Sequence, residues 1–550
     1  MAIDIVEGLK AIGETRSADG NSPPPGAFDI KCCEIQHGDG HLYDISSLVM
    51  EIHLFEDIEQ LGISGWIKLK DNINLIRNSL IIGEELLWLD FETAGAKDAG
   101  LKNWAVKGWP LYIHKIEEII SPISGQGQTT QSWLEYRLHF CSTEMITNDR
   151  MRLSKTFQGT IGSGADGGGD DGIIGDIFRK DMKIIDKNIY CAKTSGIKHI
   201  VTPRMHPFDL ITFLTNNAHA WTGQPVKGPQ ESKSMNMFKD YHADFVVFET
   251  AQRELVTDGG WFMVPLQREM SNNDLIFTLN NSMTTSGSSE KGPKFHGGGP
   301  HGRGNEAAPI TGYAAAMLRS KSFEFISTGD KWKSVRAGAW AAKQIRHNSV
   351  TKSFDIYKSD YLKQLKKDEY SHASETPVYF ELGVGDKLIS EWPDANVGYS
   401  SFASQDMSNI NLDTYRADYP WKVGYGHIGL LRKMQMNHML GYERIQCEMY
   451  GISGLQIGKN AKAEFPQIGL GSGSPAETGL AGSRDIWKED RNNNIWMITK
   501  VAHHVICSGD DPNYTTTMEL ANTMRATKKK LPFYGSLTGI NTVKAGATGR

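Results

Sequence analysis

Between Glu51 and Thr93 three apolar runs, Ile52 to Phe55, Ile63 to Leu69 and Leu86 to Phe91, are joined by short polar links. In the second, Ile63, Gly65, Ile67 and Leu69 alternate with Ser64, Trp66 and Lys68. A period of two sends successive side chains to opposite faces, so the stretch predicts strands with one face on a core. The link DNINLIRNSLIIGEE predicts a short helical turn over Asn72 to Ile76, with Gly83 as a breaker before two glutamates.

The same texture extends outward. Ile30 to Ile35, Leu42 to Val49, Leu111 to Ile120 and Ser132 to Ser142 read as further strands. Many short strands at near-regular spacing argue for an all-β barrel or sandwich. From Met151 the pattern changes: Ile173, Ile174, Ile177 and Phe178 have helical spacing. A second helix is predicted after Pro207, with Phe208, Ile211, Phe213 and Leu214 on one side; proline suits a first turn, where its missing N–H is not needed. Strands return at Phe245 to Thr250, Gly260 to Leu266 and Asp274 to Thr278, then in SKSFEFIST, SFDIY, Ile445 to Tyr450, Ala463 to Pro466, Asn494 to Ile506 and Tyr514 to Leu520. The order is β-rich, α/β, β-rich. A Gly-Ile-Ser-Gly core at Gly62 and again at Gly451 hints at duplication.

Length and charge narrow the class. A chain of 550 residues holds several domains and a sizeable core. A net charge of -5 gives no overall basic balance for nucleic acid. No run of about 18 apolar residues reads as a membrane span. The first residues lack a basic start followed by an apolar block, so no secretory signal is expected. Cys32, Cys33, Cys141, Cys191, Cys447 and Cys507 are scattered without a CxxC pair, which fits synthesis in a reducing cytoplasm rather than a disulfide scaffold.

The glycine loop from Gly162 has no Gly-Lys-Ser/Thr, and its aspartates would repel phosphate. Asp166, Asp170, Asp171 and Asp176 lack calcium-loop spacing. His296 with His301, and His37 with His41 around Asp39, each lack a third ligand. His503 and His504 are adjacent on a predicted strand, so they face opposite ways and do not easily share an ion. Glu84–Glu85 and Glu117–Glu118 are neighbours with the same geometry, and no nucleophile elbow is found. Trp104 and Trp109, on a glycine-bearing loop, are candidates for a contact surface.

Three segments resemble the baseplate hub proteins of contractile-tailed bacteriophages and, more distantly, the hub-like half of the type VI secretion spike protein. The first is LFEDIEQLGISGWIKLKDNINLIRNSLIIGEELLWLDFET, carrying Phe55, Glu56, Asp57, Gly65, Asp71, Ile82, Gly83, Glu84 and Glu85. The second runs from NDRMRLSKTFQGTI through IVTPRMHPFDLITFLTNNA to DFVVFET and WFMVPLQ. The third is NNIWMITKVAHHVICSGDDPNYTTTMELANT, with Trp496, Lys500, His503 and Tyr514.

The resemblance implies a mainly β fold with an α/β insertion: two tube-like antiparallel β-barrel domains per chain, three chains forming a pseudo-sixfold ring. The expected layout is an extended leader over 1–27 and a first barrel over 28–145. An α/β segment follows over 146–235, and then a discontinuous second barrel over 236–345 and 421–525. Residues 346–420 form an insertion or peripheral domain, and 526–550 a tail. The motif residues are expected to be structural, on assembly surfaces, with no catalytic residue, cofactor or metal. The implied partners are the chain itself as a homotrimer, tail tube protein, central spike protein and baseplate wedge proteins. Tape-measure protein and DNA would pass through the channel, and no membrane insertion is expected. The implied place is the virion tail baseplate, after synthesis in the host bacterial cytoplasm. The alternatives from other classes are a tail-tip peptidoglycan hydrolase and a receptor-binding tail protein.

Overall fold

The computed structural model describes residues 24–78, 81–95, 104–105, 110–120, 133–163, 171–221, 241–252, 258–265, 273–278, 316–328, 341–348, 353–360, 397–402, 443–464, 495–508 and 512–522, with Leu9, Ala11, Ile12, Arg432, Met436 and Leu440. The first β region comprises β1 (Phe28–Gln36), β2 (Leu42–Asp44), β3 (Val49–Asp57), β4 (Ser64–Asp71), β5 (Leu86–Thr93), β6 (Trp104–Ala105), β7 (Leu111–Ile120) and β8 (Leu134–Ser142). The middle region adds β9 (Thr156–Gly159), β10 (Asn188–Cys191), β11 (Lys198–Val201), β12 (Ala220–Trp221), β13 (Tyr241–His242), β14 (Phe245–Gln252) and β15 (Asp258–Pro265). The last contains β16 (Asn273–Thr278), β17 (Ser320–Thr328), β18 (Ala341–Asn348), β19 (Ser353–Asp360), β20 (Val397–Phe402), β21 (Glu443–Tyr450), β22 (Asn460–Glu464), β23 (Ile495–Ile506) and β24 (Asn513–Asn522). The helices are α1 (Leu75–Asn78), α2 (Thr143–Arg150), α3 (Ile173–Asp176) and α4 (Pro207–Asn216); α3 continues into a π-helical turn over Ile177–Asp181.

The protein is mainly β, and one 14-stranded, mostly antiparallel sheet runs through both β regions in the order β17-β21-β24-β23-β3-β4-β8-β7-β5-β1-β2. The first region encloses a core of alternating residues, among them Ile52 and Leu54 of β3, Ile67 and Leu69 of β4, and Leu138 and Phe140 of β8. The last builds a second core from residues including Ile445, Trp496, Ile498, Met518 and Leu520. β23 and β24 serve both: Trp496 and Met518 lie in the second core, Val505 and Tyr514 in the first. A third core belongs to the middle region, where Ile174, Ile177, Phe178, Leu210, Ile211 and Leu214 meet Phe245 and Val247. β14 is a wall with two apolar faces, since Val246 and Phe248 turn into the second core. The expected boundary at 235/236 therefore precedes a hairpin, β14–β15, that packs on both sides.

The predicted strands recur near their expected places, and the differences have local causes. The expected strand Leu42 to Val49 stops at Asp44, whose Oδ1 accepts the Ser46 N–H at 2.9 Å and starts a 3-10 turn over Ser46–Leu48. The helical turn expected over Asn72 to Ile76 forms at Leu75–Asn78 instead. Asp71 sets its start by accepting from Ile73 N at 3.0 Å and Leu75 N at 2.6 Å. Phe213, expected on the packed side of α4, is exposed; Leu210 occupies that face. Within the expected leader, where the sequence also offers a helix from Ile3 to Ile12, Leu9, Ala11 and Ile12 are helical, and Leu9 and Ile12 are buried in the second core. The two Gly-Ile-Ser-Gly copies are not equivalent. Gly62 to Gly65 opens β4, whereas Gly451 to Gly454 is a turn after β21. β18, β19 and β20 form a separate three-stranded sheet, and β18 begins ahead of the expected insertion boundary at 346. The glycine-rich stretches 283–308 and 469–483, which read as loops by composition, the expected tail over 526–550, His296, His301, Trp109, Asp166 and Asp170 lie outside the described residues.

Candidate functional site at the seam of the two β regions

β3 joins β4 on one side and β23 on the other, so the Phe-Glu-Asp motif sits where the two β regions become one sheet. The register pairs Asp57 with Lys500, Leu54 with His503 and His53 with His504. Backbone bonds extend the joint at both ends, from Ile58 N to Thr499 O at 2.9 Å and from Cys507 N to Met50 O at 2.7 Å. A second contact fastens the end of β5. Thr93 Oγ1 donates to Gly451 O at 3.0 Å, and Thr93 N donates to Ser453 Oγ at 3.2 Å.

Alternation gives the seam an inner and an outer face. On the inner face Glu56 is buried and accepts from Trp104 Nε1 at 2.8 Å, Thr250 Oγ1 at 2.7 Å and Ala251 N at 3.4 Å. It binds the first β region to β14. Trp104 stacks on Phe91 at 5.4 Å, and Phe91 meets the Tyr514 ring edge-on at 5.6 Å. Tyr514 Oη and His503 Nδ1 are 2.7 Å apart. Burial drives the His503 imidazole down to about 3, so it is neutral. The side chain of Asp57 is 3.4 Å from Lys500 Nζ, which also lies 3.4 Å from Glu519; Arg444 bridges Glu519 and Glu59 at 2.7 and 3.0 Å.

This geometry corrects the expected role of several motif residues. Glu56, Asp71, Gly83, Glu85, Trp496, His503 and Tyr514 are buried within one chain and offer a partner no surface. Gly65 is enclosed by the His53 backbone and the Phe140 ring. Asp71 caps α1 and accepts from Tyr136 Oη at 3.2 Å. Glu85 accepts three backbone N–H bonds, from Ile82 at 2.8 Å, Gly83 at 2.9 Å and Glu84 at 3.0 Å. Gly83 supports that turn at φ +90, a region that favours glycine. The residues that face outward are Phe55, Ile82 and Glu84, with Asp57 and Lys500 partly so. Trp104 is not a contact surface: it is fully buried, held by Glu56.

Other candidates also resolve. Asp39 organises a hairpin tip, accepting from His41 N at 3.0 Å and lying 3.4 Å from His37 Nδ1. Asp176 pairs with Lys180 at 2.8 Å. Burial pushes the thiols of Cys141, Cys447 and Cys507 up to about 12, which leaves no thiolate nucleophile among these three at neutral pH. His503 and His504 do face opposite ways: His503 is in the core and His504 on the outer face. Among the described residues no helix is long and apolar enough to cross a membrane.

No protein-family profile matches the chain, and no curated protein matches it. Solved structures similar to it are tail proteins and VgrG complexes. One is the 43 kDa tail protein of prophage MuSo2 from Shewanella oneidensis, at 8% identity and a TM-score of 0.39, over 90% of this chain and 97% of that one. Another is the tail protein from Neisseria meningitidis MC58, at 7% identity and a TM-score of 0.40, over 90% of this chain and 96% of that one. A third is the Francisella PdpA-VgrG complex in its half-lidded form, at 10% identity and a TM-score of 0.39, over 93% of this chain and 61% of that one.

The seam carries one pH-dependent prediction. Burial lifts Glu56 from an ordinary 4.5 to about 7, with Thr250, Trp104 and Ala251 opposing. The folded protein holds this proton more tightly than the unfolded chain, so the Glu56 contribution is complete below pH 4.5 and lost as pH rises through 7. A shift of this size corresponds to about 3 kcal/mol. His503 has the opposite sign, losing stability as pH falls. The difference between wild type and Glu56→Gln therefore isolates the carboxyl: in urea unfolding the variant loses less stability than wild type between pH 5 and 8. Parallel pH profiles would show that Glu56 is ionised throughout.

Proposed function

We propose that this chain is a structural subunit of a contractile phage tail, the central hub of its baseplate, with each β region acting as one tube-like barrel. Three chains place six such units around a channel, adapting a sixfold tail tube to a threefold spike. The observation that carries the reading is one sheet spanning both β regions, whose two end strands each pair on one side only among the described residues and expose apolar side chains. Among the described residues β17 pairs only with β21, and β2 only with β1. Leu42 on β2 and Phe325 and Ile326 on β17 are exposed. Such edges are a hazard on a monomer and are satisfied when strands of neighbouring copies add to them. The hub motif residues support the reading in a revised role, as the fastenings that make two β regions one rigid unit. The spike, tail tube, wedge and tape-measure proteins are the implied neighbours, and DNA the cargo of the channel.

The test is the mass of the purified protein by sedimentation equilibrium. The expected species is three times the 61.1 kDa chain. Charged substitutions, Phe325→Glu with Leu42→Lys, are expected to shift it to monomer without loss of β-sheet by circular dichroism. A wild-type protein that stays monomeric at high concentration overturns the hub reading.

A further inference from the structure

The outer face of the seam holds a cluster that the assembly reading does not use. Glu51 and His53 are two apart on β3 and share a face, and His504 lies directly opposite His53 on β23. One ligand atom from each falls within 4.8 Å of the other two. We propose that Glu51, His53 and His504 bind a divalent transition-metal ion of the zinc type, which clamps β3 to β23. Tetrahedral zinc with bonds of about 2.0–2.2 Å sets its ligand atoms about 3.3 Å apart, so side-chain rotation closes the site without moving the strands. Two imidazoles and one carboxylate leave a fourth position for water.

A further observation points to a ligand. His504 Nε2 is shielded from solvent and has no hydrogen-bond partner among the described residues. A polar atom left in this way costs free energy unless something binds it. His53 Nε2 lies 3.8 Å from Glu51 Oε2. The His53 ring stacks on Trp66 at 3.8 Å, and the His504 ring lies tilted by 32° at 3.8 Å, so the two imidazoles turn relative to each other for their nitrogens to converge on one ion. Arg137, held over Trp66 at 4.5 Å, is the nearby cation.

The site was not legible in the sequence because its ligands come from strands at opposite ends of the chain. The test uses untagged full-length protein stripped with chelator and titrated with Co2+, whose visible ligand-field absorption reports coordination. The expected result is one Co2+ per chain at this site, displaced by Zn2+, with Zn2+ raising the unfolding temperature reversibly by chelator. Glu51→Gln is expected to weaken binding about a hundredfold or more, and His504→Asn to abolish it. Glu51→Gln alters a partly exposed side chain and keeps its shape, so it remains informative if His504→Asn fails to fold. Absence of Co2+ binding, or binding to Glu51→Gln as tight as to wild type, overturns the proposal.

Discussion

Lys187→Met is expected to lower the first urea transition by about 3–5 kcal/mol at pH 7, the loss typical of a buried pair deprived of one partner. Lys187, Glu144 and Glu249 are at most 5% exposed, and the Lys187 ammonium bonds both carboxylates. Burial works to lower this lysine, but the facing Glu249 and Glu144 outweigh it and hold it protonated. Burial raises Glu249, with Lys187 opposing. Glu249 also accepts from Ser142 Oγ and, at 3.1 Å, from Ile63 N. The network therefore ties β14 to the end of β8 and the entry of β4. Without the ammonium, two carboxylates face each other out of reach of water. The sign with pH follows: protonation relieves the repulsion, so the deficit is largest at neutral pH and shrinks on acidification. Restoring neutrality with Glu144→Gln and Glu249→Gln in the Lys187→Met background is expected to recover part of the loss. A variant as stable as wild type at pH 7 would mean that the three side chains are not buried together.

Local pattern made the walls of the protein legible and left their joints hidden. Ile63, Gly65, Ile67 and Leu69 are all buried, as their alternation requires, because a strand with one face on a core has no freedom of register. Pro207 does start α4, and Phe208, Ile211 and Leu214 are buried along it. The joints depend on pairs that no window contains. Thr250 and Glu56 are separated by 194 residues, and Thr93 and Ser453 by 360. Trp104 misled for the same reason: a glycine-bearing loop predicts exposure, but two residues of it pair with Asp90 and Phe91 and carry the indole to Glu56. The resemblance named Glu56, His503 and Tyr514 without the side of the wall they occupy, which burial decides. His53 and Glu51 carried no signal beside each other; their third partner is His504, reached only through the pairing of β3 with β23.

Gly65→Ala is expected to destabilise the first β region by about 3 kcal/mol, the upper end of what overpacking costs. Gly65 lies in register between Leu54 of β3 and Phe140 of β8. A Cβ there would stand 2.2 Å from the His53 carbonyl oxygen and 2.5 Å from Phe140 Cζ. The ring can turn at some cost in packing, but the carbonyl belongs to the β3 backbone and cannot yield without moving the strand. The damage should therefore reach the seam. Amide exchange is expected to speed up at Ile58 and Cys507, whose N–H groups close the β3–β23 joint. Gly38→Ala is the control: nothing lies within 4 Å of its added methyl, and stability should change by no more than about 0.5 kcal/mol. If Gly65→Ala matched Gly38→Ala, β3 and β4 would not approach as closely as the register requires, and the seam built on β3 would have to be redrawn.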